Sequence, residues 1–147
     1  MNMKRLIIAC IVVFLFVFGY NWVLHGAILK NAYMESAQLW RDDSGMKQHF
    51  GWLLLGQILM SVMFCVIYAL RRGPEAGPGQ GAGYGFLVAL LLSSGTFISY
   101  AVEPLPGKIA VAWFIGDLIQ LVIAGAILGA IYRPPSADVR AAQPAPA

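Results

Sequence analysis

Four long stretches of this chain carry almost no charge, and they constrain its fold more than any other feature. The first lies between Arg5 and Lys30, where 24 consecutive residues carry no formal charge. At a rise of about 1.5 Å per residue, a helix of that length exceeds the hydrocarbon core of a bilayer, which is roughly 30 Å thick. This stretch is therefore predicted to cross a membrane.

Three further apolar stretches repeat this pattern. The predicted spans cover residues 6–29, 50–70, 84–102 and 109–132. The chain is 59% hydrophobic and only 12% charged, which is too little charge to cover the surface of a soluble domain of this size. We therefore expect a single transmembrane domain over residues 1–133, followed by a disordered Pro- and Ala-rich tail over 134–147.

The connections between the spans predict how the helices are arranged. After the first span, Tyr33, Ala37 and Trp40 recur at helical spacing, which is typical of a short amphipathic helix at the membrane surface. The glycine- and proline-rich segment 73–83 is expected to be a flexible connector. A tight loop over 103–108 makes the last two spans antiparallel neighbours. The predicted fold class is an all-α membrane protein, an antiparallel up-down bundle of four transmembrane helices with a short amphipathic interfacial helix after the first span.

The distribution of basic residues predicts the orientation of this bundle. With four spans, both chain termini lie on one side of the membrane, and that side carries six Lys and Arg residues against four on the other. The positive-inside rule therefore places both termini in the cytoplasm. The tryptophans then lie toward the outer side, as an aromatic belt of Trp22, Trp40, Trp52 and Trp113.

Each predicted span also carries polar side chains on one helix face, at spacings of three or four residues. Because lipid offers no hydrogen-bond partners, these polar stripes are expected to face one another inside the bundle. Their depth predicts a polar pocket in the outer half of the bundle, open to the outside, in which a small molecule would bind. The candidate pocket residues are Asn21, His25, Gln57, Thr96, Tyr100, Glu103, Asp117 and Gln120.

Asp117 is the most informative of these residues. A carboxylate near the centre of a span costs about 2.5–3.5 kcal/mol to insert, so its presence needs a reason. Two interpretations are open. Asp117 is either a proton, cation or substrate site, or an interhelical hydrogen-bond clamp in which each bond contributes about 0.6–2 kcal/mol.

No motif for catalysis or cofactor binding occurs in the sequence. His25 and His49 are the weak candidates for metal ligation, but they lack ligand spacing, and we predict no metal and no cofactor. Cys10 and Cys65 fall inside separate apolar stretches, where they are expected to be small packing residues. The basic residues lie at the ends of apolar stretches and not on one face, which argues against a nucleic-acid partner.

Several short segments resemble those of a known group of proteins. The segments are Gly19-Tyr-Asn-Trp22, Leu29-Lys-Asn-Ala-Tyr-Met34, Glu103-Pro-Leu-Pro-Gly-Lys108 and Gly125-Ala-Ile-Leu128. With them the chain resembles the small four-span bacterial membrane proteins that are grouped as a domain of unknown function. Asn21 and His25 depart from the pattern of that group. The resemblance implies a four-span fold in the bacterial inner membrane, and it implies no activity.

Three kinds of function fit these features. The favoured one is a small membrane protein that acts through partners, as a homo-oligomer or as an accessory subunit of a larger membrane complex. Gly125-Ala-Ile-Leu-Gly129 permits close helix approach, either within the bundle or between protomers. The alternative is a transporter of a small solute, ion or proton that uses Asp117, although the inner half lacks polar lining. A metal- or cofactor-dependent membrane enzyme is the least favoured, because no nucleophile–base pair is evident.

Overall fold

The computed structural model describes residues 2–71 and 77–132. These residues are almost entirely helical and include no strand. The main helices are α1 (Met3–Val23), α2 (Lys30–Glu35), α3 (Asp43–Arg71), α4 (Pro78–Val102) and α5 (Gly107–Ile131). A π-helical turn over Leu24–Ile28 extends α1, and a 3-10 turn over Ala37–Leu39 follows α2.

Four of the described helices are long and apolar enough to cross a membrane. They are α1 with its π-helical extension, α3, α4 and α5, and each exceeds the roughly 20 residues that a bilayer requires. The prediction of an all-α membrane protein with four spanning helices is confirmed to this extent. The tail over 134–147, predicted to be disordered, lies outside the described residues, as does the connector up to residue 76.

Helix α4 begins earlier than the sequence predicts. Residues 78–83 form its first turns, so the prediction of a flexible connector is wrong for this part of the segment. Pro78 occupies the first turn, where its fixed φ and missing N–H are tolerated. Gly81 and Gly85 are buried. A glycine costs about 1 kcal/mol in a helix relative to alanine, and packing against α5 offsets that cost.

Helices α4 and α5 make the most extensive contact in the described chain. A Cβ atom at Gly81 would overlap the carbonyl oxygen of Gly125, and a Cβ atom at Gly129 would overlap that of Gly77. Residue numbers therefore rise along α4 as they fall along α5. Only glycine permits two backbones to approach this closely. The glycines of the Gly125-Ala-Ile-Leu-Gly129 motif thus pack within the chain.

The main apolar core joins all four long helices. Helix α1 contributes one face with a spacing of three or four residues: Leu6, Ala9, Val13 and Val17. The other helices contribute Phe64, Cys65, Tyr68, Ala89, Leu121, Ala124 and Leu128. Cys10 packs against this core, and Cys65 is fully buried within it. The backbone N–H of Asn2 donates to the Tyr132 hydroxyl at 3.2 Å, so the start of α1 and the end of α5 meet at what we call the terminal end.

A second, smaller cluster closes the opposite end, which we call the loop end. Leu105, Ile109 and Ala110 are buried there against the aromatic side chains of Tyr33 in α2, Trp40 directly after the 3-10 turn, and Trp113 in α5. Lys108 also forms an ion pair with Glu35. The segment that follows α1 therefore lies over the connection between α4 and α5. That segment consists of two short helical pieces separated by Ser36.

Candidate ligand-binding site

The structure does not bring the eight predicted pocket residues together in one pocket. Asn21 and Gln120 form one interhelical hydrogen bond, and Asp117 bonds to a serine of α4. Asn21, His25 and Gln57 line a cavity between α1 and α3. Thr96, Tyr100 and Glu103 belong to α4 and its C-terminal cap, and they do not line that cavity.

Gln120 links α5 to α1. Its amide nitrogen donates to Asn21 Oδ1 at 2.9 Å and to the carbonyl oxygen of Val17 at 3.2 Å. The Gln120 side chain is buried, with 3% of its surface exposed. Because a polar group in an apolar interior needs a partner, these two bonds stabilise one position of α5 against α1.

Asp117 lies half-buried between α4 and α5. Ser93 Oγ donates to Asp117 Oδ2 at 3.5 Å, and Ser93 is itself fully buried. Ser93 follows Gly81, Gly85 and Ala89 at intervals of four residues, so it shares their helix face. The bond therefore extends the close contact between α4 and α5 beyond the glycines. A hydroxyl partner on the neighbouring helix is what the clamp interpretation of Asp117 requires.

A cavity of about 240 Å³ opens between α1 and the first half of α3, and we call it the α1–α3 cavity. Its apolar walls are Phe18, Trp22, Met46, Phe50 and Leu53. No residue of α3 before Ser61 is buried, whereas the core side of α3 is buried from Ser61 to Tyr68. Helix α3 therefore packs against the rest of the chain near the terminal end and leaves a gap beside α1 toward the loop end.

The amides deep in this cavity have unused hydrogen-bonding capacity. Gln57 Oε1 is buried, and no described residue donates a hydrogen bond to it. Asn21 accepts from Gln120 through Oδ1, and its Nδ2 has no partner among residues 2–71 and 77–132. A buried polar atom without a partner costs about 1–3 kcal/mol. Because Gln57 Oε1 has almost no accessible surface, this oxygen faces the packed side chains around it and not the open volume of the cavity.

His25 lies one helical turn from Asn21, at the mouth of the α1–α3 cavity. Its Nδ1 is 2.5 Å from the hydroxyl oxygen of Tyr33, and Trp113 Nε1 donates to the same oxygen at 2.7 Å. Nδ1 is thereby occupied, and Nε2 is the ring nitrogen left for a ligand. A broader depression of about 510 Å³ adjoins the cavity at His25 and Gly26 and continues to Lys30.

His25, Tyr33, Trp40 and Trp113 form an aromatic cluster at the loop end. The ring centroids of Tyr33 and Trp40 are 5.2 Å apart, and those of Trp40 and Trp113 are 6.1 Å apart. Burial raises the pKa of Tyr33 above its ordinary value of 10.0, and the hydrogen bond from Trp113 partly opposes this shift. The cluster fixes the position of His25 at the cavity mouth.

Tyr33 and Trp40 line the broader depression and Trp113 bonds to Tyr33, although none of the three was expected to belong to a site. Their sequence signal, aromatic residues near the ends of apolar stretches, predicts only a position at the membrane interface. The hydrogen bond between Tyr33 and Trp113 joins residues 80 positions apart, and no local spacing reveals such a contact.

The other candidates lie elsewhere. Tyr100 and Glu103 are exposed and Thr96 is half-buried, while Glu103 borders a separate depression of about 150 Å³. His49 Nδ1 lies 2.8 Å from the carbonyl oxygen of Gly45, one turn earlier in α3. Within the described parts of the chain, no three His, Cys, Asp or Glu side chains are grouped so as to hold a metal ion.

Comparison with known proteins gives no match: no family model, no curated protein and no solved structure matches this chain. The resemblance to four-span bacterial proteins therefore stays a prediction. The arguments for function rest on the geometry of the α1–α3 cavity and its surroundings.

Proposed function

We propose that this chain is a small multi-pass protein of the bacterial inner membrane that acts by binding, either as an accessory component of a larger membrane assembly or as a homo-oligomer. The α1–α3 cavity supports this proposal. It combines apolar walls with the three polar side chains of Asn21, His25 and Gln57, which is the usual composition of a ligand site. The adjoining half of α3 has no buried residue and is free to contact a ligand or a partner.

In this proposal the four long helices form an antiparallel up-down bundle. The opposite course of residue numbers along α4 and α5 supports this arrangement, as does the meeting of both connections at the loop end. The positive-inside rule then places both termini in the cytoplasm and the loop end outside. Helix α2 and the 3-10 turn would lie at the outer membrane interface, with the aromatic cluster at the level of the lipid head groups.

Transport through Asp117 is the alternative. The observation in its favour is a half-buried carboxyl group inside the predicted bilayer whose hydrogen bond to Ser93 is long, at 3.5 Å. Against it, Asn21 and Gln120 are bonded to each other, and the bundle toward the terminal end is filled by an apolar core. A transport path needs polar lining across the whole thickness of the membrane, so binding is the better-supported function.

Native mass spectrometry of the protein, extracted gently from its own membrane, tests this proposal. We expect the spectrum to show the protein either in a complex with further subunits or with the added mass of a bound small molecule. A variant that fills the cavity, Leu53→Trp, is expected to lose that mass. Leu55→Trp, at an exposed position of α3 that does not line the cavity, is the matched control and should retain it. A bare monomer without subunits or added mass would contradict the proposal.

A further inference from the structure

We infer that the α1–α3 cavity and the broader depression beside it together bind one zwitterionic phospholipid, with its head group in the depression and part of an acyl chain in the cavity. The inference rests on the proposed binding function and names the class of molecule that this site accepts. Three observations carry it, namely the shared border of the two concavities, the apolar walls of one and the unpaired opposite charges of the other.

The two concavities meet at His25 and Gly26, which line both of them. These two residues belong to the π-helical turn over Leu24–Ile28, a rare element that is found frequently at functional sites. A Cβ atom added at Gly26 would meet no atom closer than 4.0 Å, so the glycine leaves open space where the concavities join. A single elongated molecule can therefore occupy both.

The α1–α3 cavity suits an acyl chain. Its walls are mainly apolar, and it lies between two helices that are long and apolar enough to span a membrane. Trp22, Phe50 and Leu53 line it and are also exposed at the protein surface, so the cavity opens sideways. Because lipid tails are as apolar as these walls, the cavity admits a chain without selecting one lipid over another. Selection therefore depends on the head group.

The depression carries charges of both signs. Lys30 and Arg41 line it, as do Asp42 and Asp43. Both carboxylate oxygens of Asp42 accept hydrogen bonds at 2.8 Å from the first turn of α3. The side chains of Lys30, Arg41 and Asp43 form no ion pair and no hydrogen bond within the described parts of the chain. Opposite charges thus border one concavity without neutralising each other.

A zwitterionic phospholipid supplies the complementary charges. Its phosphate is an anion that Lys30 and Arg41 can contact, and its ammonium is a cation that Asp43 can contact. An anionic phospholipid supplies only the first of these charges, and a diacylglycerol supplies neither. Because an exposed ion pair contributes little, we expect preferences of several-fold between these lipids and not of orders of magnitude.

His25 adds a polar contact between the head group and the chains. The Tyr33 hydroxyl accepts from Trp113 Nε1 and can donate its own proton to Nδ1 of His25, which leaves the proton of the imidazole on Nε2. The ester carbonyl oxygens of a phospholipid lie between its phosphate and its chains, and they accept hydrogen bonds. Nε2 is therefore a suitable donor at the level where the two concavities meet.

Native mass spectrometry with added lipid tests the inference. The full-length protein is delipidated in dodecyl maltoside and titrated separately with three lipids that have the same acyl chains: dioleoyl phosphatidylethanolamine, dioleoyl phosphatidylglycerol and dioleoylglycerol. We expect the phosphatidylethanolamine to bind at least about fivefold more tightly than dioleoylglycerol and about threefold more tightly than the phosphatidylglycerol.

Charge variants test the head-group contacts. Lys30→Gln is expected to weaken binding of the phosphatidylethanolamine about threefold and to leave binding of dioleoylglycerol unchanged. Lys47→Gln is the matched control, since Lys47 is an exposed lysine of α3 that lines neither concavity, and it should bind as the unmodified protein does. Asp43→Asn should abolish the preference over the phosphatidylglycerol.

A second pair of variants tests the junction between the concavities. Gly26→Leu places a side chain in the open space there and should weaken binding of the phosphatidylethanolamine at least about fivefold. Gly19→Leu makes the same change at an exposed position of α1 that lines neither concavity, and it should have no effect. Both variants should fold, because neither added Cβ atom overlaps the rest of the protein.

Equal binding of the phosphatidylethanolamine and either comparison lipid would overturn the inference. Equal effects of Lys30→Gln and Lys47→Gln, or of Gly26→Leu and Gly19→Leu, would also overturn it. If no lipid is preferred but the protein from its own membrane carries another retained mass or further subunits, the ligand class is wrong and the binding function stands. If neither measurement finds a bound species, both proposals are wrong.

Discussion

The polar side chains inside the predicted spans differ in their roles because they differ in their partners. Gln120 and Ser93 are buried and bonded across helix interfaces, which makes them part of the packing. Gln57 lines the α1–α3 cavity, but its Oε1 is buried without a donor, so this oxygen is not reached from the cavity. Asp117 has an intermediate environment, because it is half-buried and bonded to one hydroxyl group.

If Asp117 is a clamp, removing the hydroxyl donor and removing the carboxyl acceptor should have the same effect. We expect Asp117→Leu and Ser93→Ala each to lower the free energy of unfolding by about 0.6–2 kcal/mol. The double variant should lose little more than either single one, because the residues share one interaction. Unfolding in a mixed-detergent titration measures these values. Unchanged stability together with loss of a solute-dependent stabilisation would instead favour transport.

Tyr33 should make the stability of the loop end depend on alkaline pH. Its pKa is raised in the folded state, so the unfolded chain loses this proton first as the pH rises. Stability is therefore unaffected by Tyr33 below pH 10.0 and falls as the pH rises above that value. Thermal unfolding of the unmodified protein and Tyr33→Phe should diverge in this way. Parallel pH profiles for the two proteins would contradict the buried phenol.

At the scale of the elements, α4 and α5 are paired by backbone contact, whereas α3 is held mainly at one end. The glycines of α4 and α5 leave no room for side chains between the two helices. Helix α3 instead buries Ser61, Phe64, Cys65 and Tyr68, and the Tyr84 hydroxyl donates to the carbonyl oxygen of Phe64 at 2.8 Å. The cavity is a consequence of this uneven packing.

The close pairing of α4 and α5 predicts a strong dependence on residue size. Gly81→Ala should destabilise the protein by about 1–3 kcal/mol, because the added methyl group overlaps backbone atoms of α5. Gly83→Ala is the matched control, since a Cβ atom there meets nothing within 4 Å. It should raise stability by up to about 1 kcal/mol through helix propensity. Chemical unfolding of both variants checks the sign of each change.

At the scale of the whole molecule, the two ends of the bundle are closed in different ways. The terminal end is filled by an apolar core to which α1, α3, α4 and α5 all contribute. The loop end is covered by α2 and the 3-10 turn. The aromatic side chains of Tyr33 and Trp40 pack there against the start of α5, and Glu35 forms an ion pair with Lys108. In the proposed orientation, the α1–α3 cavity is therefore reached from the outer half of the membrane.

This orientation predicts which positions a membrane-impermeant thiol reagent reaches in intact cells. Ala37→Cys, at an exposed position of the loop end, should be labelled from outside. Asn2→Cys, at the terminal end, should be labelled only after the membrane is permeabilised. The native Cys10 and Cys65 lie within spanning helices and should stay unlabelled in both cases. The reverse labelling pattern would place the termini outside.

The amino-acid sequence alone determined the number and type of the main elements. Four apolar stretches longer than a bilayer is thick leave a chain few alternatives to spanning helices, because backbone groups in lipid must bond within their own segment. The same rule predicted that polar side chains would bond across helices, as Asn21 does with Gln120. The start of α4 was missed, because its glycines are unfavourable locally and are stabilised only by α5.

Only the tertiary structure decided which polar residues bond across helix interfaces and which lie beside the cavity. Spacing along a helix predicts which residues share a face, but it does not predict which neighbouring helix that face meets. Helix α5 uses its polar face for bonds to α1 and α4, whereas Gln57 of α3 is left beside a gap. The hydrogen bond between Trp113 and Tyr33 and the packing of Cys10 against the apolar core likewise join distant parts of the chain. These contacts depend on the packing of whole helices, which no local pattern encodes.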